Sequence, residues 1–307
     1  MSSASKKVIW AALVGNSLIA VTKFFAALLT GSSAMLSEGI HSLVDTGNQV
    51  LLLYGLKRSE APPDEHFPFG HGKEIYFWSF VVAILIFAVG AGISLYEGIV
   101  HIRHPSKLTN PNINYIVLGL AFLFEGAAWV FAFREFSRAK GKWGIIEAVQ
   151  RGKNPSLFVV LFEDSAAMLG LIVAFMGIYI SHRTHNPLYD ALASIAIGLI
   201  LGGTAIWLAY ETKGLLIGES ANQEIVHGIR IIASSYPEID SVNEVLTLHM
   251  GPDFILANIS LDFVDSVPAG QVEKVLEQLR TAIKEEYPQV KRIFAEPRKA
   301  VNQSSPD

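Results

Sequence analysis

Glu38, His41 and Asp45 occur at intervals of three and four in the run Glu38-Gly-Ile-His41-Ser-Leu-Val-Asp45. On a helix His41 and Asp45 stack on one face, with Glu38 close to it. The surrounding segment otherwise reads as membrane-spanning. An ionisable side chain at the centre of a bilayer costs about 2.5–3.5 kcal/mol on insertion scales, so three on one stripe need a common partner. A divalent cation is the simplest, since imidazole and carboxylate are the usual nitrogen and oxygen ligands of Zn²⁺, Mn²⁺ or Fe²⁺. Asn48 extends the stripe. A second apolar segment carries Glu163 and Asp164. Adjacent residues on a helix point about 100° apart, so these two cannot face one site equally. Glu125, in another apolar segment, is either a proton-carrying group or a partner for Lys23. A further cluster, Asp64-Glu-His66-Phe-Pro-Phe-Gly-His71-Gly-Lys73-Glu74, offers a second, loop-borne set of ligands in Asp64, His66 and His71.

Positioning these groups requires a helical bundle in a membrane. Of 307 residues, 51% are hydrophobic and 17% charged, which is too apolar for an ordinary soluble domain. The apolar residues concentrate before about residue 210. Six spanning segments are expected near 8–29, 34–56, 76–100, 113–134, 157–181 and 187–210, each about the ~20 residues a bilayer requires. With no cysteine, disulfides and thiolate ligands are excluded, and a metal must be held by His, Asp, Glu or Asn. The small net negative charge gives no reason to expect a nucleic-acid partner.

Lys6, Lys7, Lys57, Arg58 and the basic run between the fourth and fifth segments place those loops, and both termini, in the cytoplasm by the positive-inside rule. No cleavable signal is evident, so a bacterial-type inner membrane is the default expectation. Residues 138–156 hold a short amphipathic helix expected at the interface. From residue 212 the pattern turns soluble: a helix over 222–235, strands over 242–250 and 254–263, a helix over 271–287 and a strand over 290–295. The expected organisation is a six-helix transmembrane domain (1–211), a cytoplasmic α+β domain of order αββαβ (212–298), ferredoxin-like in class, and a disordered tail (299–307).

The run Ser37-Glu-Gly-Ile-His41-Ser-Leu-Val-Asp45, the Phe69-Gly-His71-Gly-Lys73 lead into the third segment, the six spans and the αββαβ tail together resemble the cation diffusion facilitators. Val159-Val-Leu-Phe-Glu163-Asp164 and Asn186-Pro-Leu-Tyr-Asp190 are most similar to the branch that contains the mammalian mitochondrial zinc transporter. The resemblance implies a homodimeric exporter of divalent metal driven by proton antiport, with membrane lipid and protons as its other partners. It also implies a tetrahedral site with two ligands four apart on the second segment and two on the fifth. His41, Asp45 and Asp164 match three of these positions, and the fourth falls on Val160, which cannot bind metal. Glu163, Glu38, Asn16 or water is then left to complete the shell. The resemblance puts a second metal at Asp64 and His71, with His66 nearby. The tail's usual histidine positions fall on Asn243, Ile259 and Phe294, so no regulatory metal cluster is expected there.

His41 favours Zn²⁺ over Mg²⁺ or Ca²⁺, and leaves Mn²⁺, Co²⁺, Ni²⁺ and Fe²⁺ open as substrates. Ligands must lose protons to bind metal, so His41 and Glu125 are the candidates for proton coupling. No organic cofactor is expected. A His-Glu-x-x-His helix is absent from the sequence, which argues against an intramembrane metalloenzyme. A non-transporting scaffold or metal sensor, which kept the fold and lost a ligand at Val160, is the rival reading.

Overall fold

The structure is a computed structural model that describes residues 3–105, 110–153 and 155–299; the expected tail from residue 300 onward lies outside them. In chain order the elements are α1 (Ser3–Thr30), α2 (Ser33–Ser59), α3 (Glu74–Leu85), a π-helical stretch (Ile86–Ala91), α4 (Gly92–Arg103), α5 (Pro111–Ala139), α6 (Ile145–Arg151), α7 (Pro155–Thr184), α8 (Leu188–Ile217), α9 (Gln223–Ser234), β1 (Ile239–Gly251), β2 (Phe254–Phe263), α10 (Ala269–Glu286) and β3 (Val290–Pro297). They divide into two compact units, Met1–Arg58 with Glu74–Lys213, and Ser59–Lys73 with Gly214–Asp307.

In the first unit, four helices among the described residues are long and apolar enough to cross a membrane: Glu74–Arg103 (α3 through α4), Pro111–Ala139, Pro155–Thr184 and Leu188–Ile217. Proline opens α5 and α7, where its missing N–H has no helical partner to lose. The helices α1 and α2, at 28 and 27 residues, have the length of a span. The apolarity of α2 is diluted by the buried polar stripe Glu38, His41, Asp45 and Asn48. With α1 and α2 matching the other two expected segments in length, the fold is that of a polytopic helical membrane protein with a small α+β domain.

The turn between α1 and α2 fixes where that stripe begins. Gly31 adopts φ +69°, a left-handed conformation open to glycine at little cost. Its N–H reaches back to Ala27 O at 2.8 Å. A helix start leaves unpaired N–H groups, and here another helix supplies the acceptors. Asp190 of α8 accepts from Ser33 N (2.6 Å), Ala34 N (3.5 Å), Ser33 Oγ (3.0 Å) and Ser32 Oγ (2.6 Å). Ser32 Oγ in turn accepts from Met35 N at 3.1 Å. A buried carboxylate therefore caps α2 from outside its own helix and complements its dipole.

The second unit has a three-stranded sheet in the order β1-β2-β3. The β1–β2 pair is antiparallel, with Val245 opposite Ile259, and β2–β3 is parallel, with Ile259 opposite Ala295. The helices α9 and α10 bury Ile229, Leu279 and Ile283 against Ile255, Ile259 and Leu261. β1 begins at Ile239, three residues earlier than its hydrophobic alternation suggests, because irregularities at 239–241 and 242–244 break the alternation while pairing continues. The loop 59–73 belongs to this unit. Phe69 meets Phe294 edge-on, ring centroids 6.5 Å apart, and Gly72 packs on the backbone of Met250 so closely that a Cβ would overlap it.

Candidate metal centre

The i,i+4 spacing on α2 does bring His41 and Asp45 together. His41 Nδ1 lies 3.2 Å from Asp45 Oδ1, and both side chains are buried. The approach is close but does not form a hydrogen bond: neither ring nitrogen of His41, nor Asp45 Oδ1, has a hydrogen-bond partner. Buried polar atoms are rarely left so. Buried, unpaired nitrogen and oxygen atoms this close together suit a cation.

Across from α2, the helix α7 brings Glu163 and Asp164. The Asp45 and Glu163 carboxyls lie within hydrogen-bonding reach of each other, and Asp164 is near enough to act on Asp45 electrostatically. Two facing carboxyls require a proton or a cation between them. The 100° step between Glu163 and Asp164 has the expected effect. Glu163 is buried and accepts from Asn48 Nδ2 at 2.6 Å, while Asp164 is half-buried. Among the described residues no three His, Asp or Glu side chains already stand in a metal-holding arrangement.

Glu38 points elsewhere. Its Oε2 accepts from Lys23 Nζ at 2.9 Å, and the same ammonium donates to Glu125 Oε1 at 2.8 Å and Ser42 Oγ at 2.9 Å. Of the two alternatives for Glu125, the structure shows contact with Lys23. Lys23 and Glu38 are both 0% exposed. No pattern within α2 distinguishes Glu38 from the His41 face; Lys23, isolated in the apolar run of α1, was the available signal.

In the second unit, Asp64 and His71 come together. His71 Nε2 is 2.9 Å from Asp64 Oδ2, and Asp64 Oδ1 accepts from His66 N (2.9 Å) and Phe67 N (2.7 Å). The hydrogen bond from His71, aided by that from Phe67 N, holds the Asp64 carboxyl below the usual carboxylate range. Asp64 and His66 are exposed, His71 is buried, and its ring lies 4.6 Å from that of Phe67. His66 contributes its backbone to this turn.

The long apolar helices, with a buried imidazole and buried carboxylates between them, define an integral membrane protein with an ionisable interior. Residues 9–217 match the family model of the cation efflux transmembrane domain. The chain belongs to that family, the cation diffusion facilitators, whose members are transporters and not enzymes. It is 35% identical over 260 residues to the mitochondrial proton-coupled zinc antiporter SLC30A9 of Xenopus laevis, covering 84% of this chain and 46% of that protein. The Homo sapiens protein of that name is 34% identical over the same shares. This chain thus spans about half the length of these relatives. The cation-efflux pump FieF of Escherichia coli O1:K1 is 27% identical over 281 residues, 91% of this chain and 87% of that one. Among solved structures, a nickel form of the MamM C-terminal domain covers 25% of this chain and 100% of its own, at 18% identity and a TM-score of 0.23.

Proposed function

We propose that the protein is a proton-coupled exporter of divalent metal, with Zn²⁺ its substrate. His41, Asp45 and Asp164 form the core of the transport site and Glu163 is the fourth group, in place of the ligand missing at Val160. The observation that carries this is the buried His41 with both ring nitrogens unpartnered, beside Asp45 Oδ1 in the same condition. Imidazole with carboxylates is a Zn²⁺ donor set, and Mn²⁺, Co²⁺, Ni²⁺ and Fe²⁺ accept it less selectively. Ligands that bind metal only when deprotonated let protons compete it off on the far side. Two copies of the chain act together, with residues 212–298 as the dimerising part. The basic residues that flank the spans support cytoplasmic termini. The loop pair Asp64 and His71, with His66 beside it, serves as a cytoplasmic metal-capture site, and Glu38 is assigned to Lys23 instead of to the metal.

One observation favours a second reading: Val160 stands where a ligand is expected, as suits a metal sensor that does not transport. Proteoliposomes loaded with pyranine and given Zn²⁺ under a pH gradient separate the two. Zn²⁺ uptake with counter-moving protons, lost in Asp164→Ala, is the expected result. Folded, dimeric protein that moves none of Zn²⁺, Mn²⁺, Co²⁺, Ni²⁺ and Fe²⁺ in this assay would favour the scaffold or sensor reading.

A further inference from the structure

Lys23, Glu38 and Glu125 form a cluster of ionisable groups that the transport site does not use. We propose that this three-helix network carries an exchangeable proton of the antiport, bound by one of its two carboxyls and released when a dication occupies the neighbouring centre of His41, Asp45 and Asp164. The inference rests on the antiporter reading above.

The first argument is a count of donors and charges. An ammonium has three N–H groups, and those of Lys23 go to Glu38 Oε2, Glu125 Oε1 and Ser42 Oγ. One positive charge faces two carboxyls, so with both ionised the cluster keeps one uncompensated negative charge. Glu38 is 0% exposed and Glu125 11%. A surplus charge in such a place is relieved by binding a proton. The second argument is the free oxygens. Glu38 Oε1 and Glu125 Oε2 are buried without a hydrogen-bond partner, and these are the atoms where the proton has room to sit. Glu38 Oε1 also lies directly on Gly170 of α7, where a Cβ would overlap it. The helix that carries Asp164 therefore packs against the network at Gly170.

The third argument is coupling. Glu125 acts electrostatically on both Asp45 and Asp164, and Lys23 acts on His41. Such influence is reciprocal: two positive charges arriving at Asp45 and Asp164 favour the ionised form of the network. On metal arrival the carboxyl O–H bond breaks, the electron pair stays on the carboxylate, and the proton leaves to water. The charged or titratable groups that face the network are His41 and Asp45 from α2 and Asp164 from α7.

The test measures protons displaced per Zn²⁺ bound by the full chain in detergent, from calorimetry in two buffers of different ionisation enthalpy. Glu125→Gln and Glu38→Gln are each expected to keep Zn²⁺ binding and to release about one proton fewer than wild type. Infrared difference spectra of the wild type should show protonated-carboxyl C=O absorption lost on adding Zn²⁺, and each variant should lose less of it, since only the carboxyls of the metal centre then contribute. No band loss in wild type overturns the inference without needing any variant to fold. An unchanged proton count in both folded variants overturns it too, as does loss of Zn²⁺ binding in both, which would make these carboxyls ligands. Zn²⁺ binding that persists in Asp45→Ala is a different failure, that of the metal centre itself.

Discussion

His41 with Asp45, and His71 with Asp64, are the same two side chains placed in two surroundings. On α2 the pair is buried, 3.2 Å apart, and its facing atoms lack hydrogen-bond partners. In the loop 59–73 the two are hydrogen-bonded at 2.9 Å, and Asp64 is additionally held by backbone N–H groups. Helical geometry explains the difference. Spacing of i,i+4 stacks two side chains on a rigid face, and neighbouring helices exclude the water that would satisfy them. A loop can instead turn its backbone until the carboxylate is fully bonded. The first pair is left with unmet valence at both facing atoms, as the proposed cation site requires; in the second pair the facing atoms are already bonded to each other, and the unpartnered atom is His71 Nδ1 on the far side of the ring.

Breaking the buried pair should have the largest effect. Asp45→Ala is expected to reduce Zn²⁺ flux in proteoliposomes to that of empty vesicles. The metal-free protein should melt no lower than wild type, because a carboxyl facing the Glu163 carboxyl has been removed. Flux at the wild-type level would show that the unpartnered atoms are not the site.

Next in size is the network behind α2. Lys23→Met leaves two buried carboxyls without their cation, which costs about 3–5 kcal/mol when one partner of a buried ion pair is deleted. Thermal unfolding in detergent reads this directly, and restoring the balance in Lys23→Met/Glu125→Gln should recover part of it. A smaller loss, about 2 kcal/mol, is expected for Asp190→Ala, which strips the acceptors from the first turn of α2. Because the cap sets where α2 begins, the KM for Zn²⁺ should rise as well. A fall in stability with KM unchanged would separate the cap from the placement of His41 and Asp45.

The loop pair should give the smallest response, with a pH signature. The Asp64 carboxyl is held below its ordinary range. Its contribution is therefore fully present above the ordinary carboxylate value of about 4 and is lost as pH falls through the lowered one. Asp64→Asn should speed limited proteolysis within 59–73 at neutral pH, and its cleavage should not change further as pH falls below about 4, where that of the wild type rises. Equal cleavage of wild type and variant at neutral pH would show that the bond does not hold the loop.

The sequence by itself determined what short-range periodicity encodes. The 3.6-residue repeat put His41 and Asp45 on one face, the 100° step separated Glu163 from Asp164, and the change of pattern after residue 210 announced a sheet-and-helix unit. Only the tertiary structure decided which face meets which. Glu38 sits as near the His41 stripe as the helix allows, yet it belongs to Lys23, because α1 presents an ammonium there and Gly170 gives the carboxyl room. Asp190 lies more than 150 residues from the helix it caps, and the loop 59–73 packs with a unit that starts at Gly214. Such partners are fixed by the packing of distant segments, where each buried charge or unpaired N–H takes whatever complementary group the fold brings near, and that pairing leaves no local repeat to read.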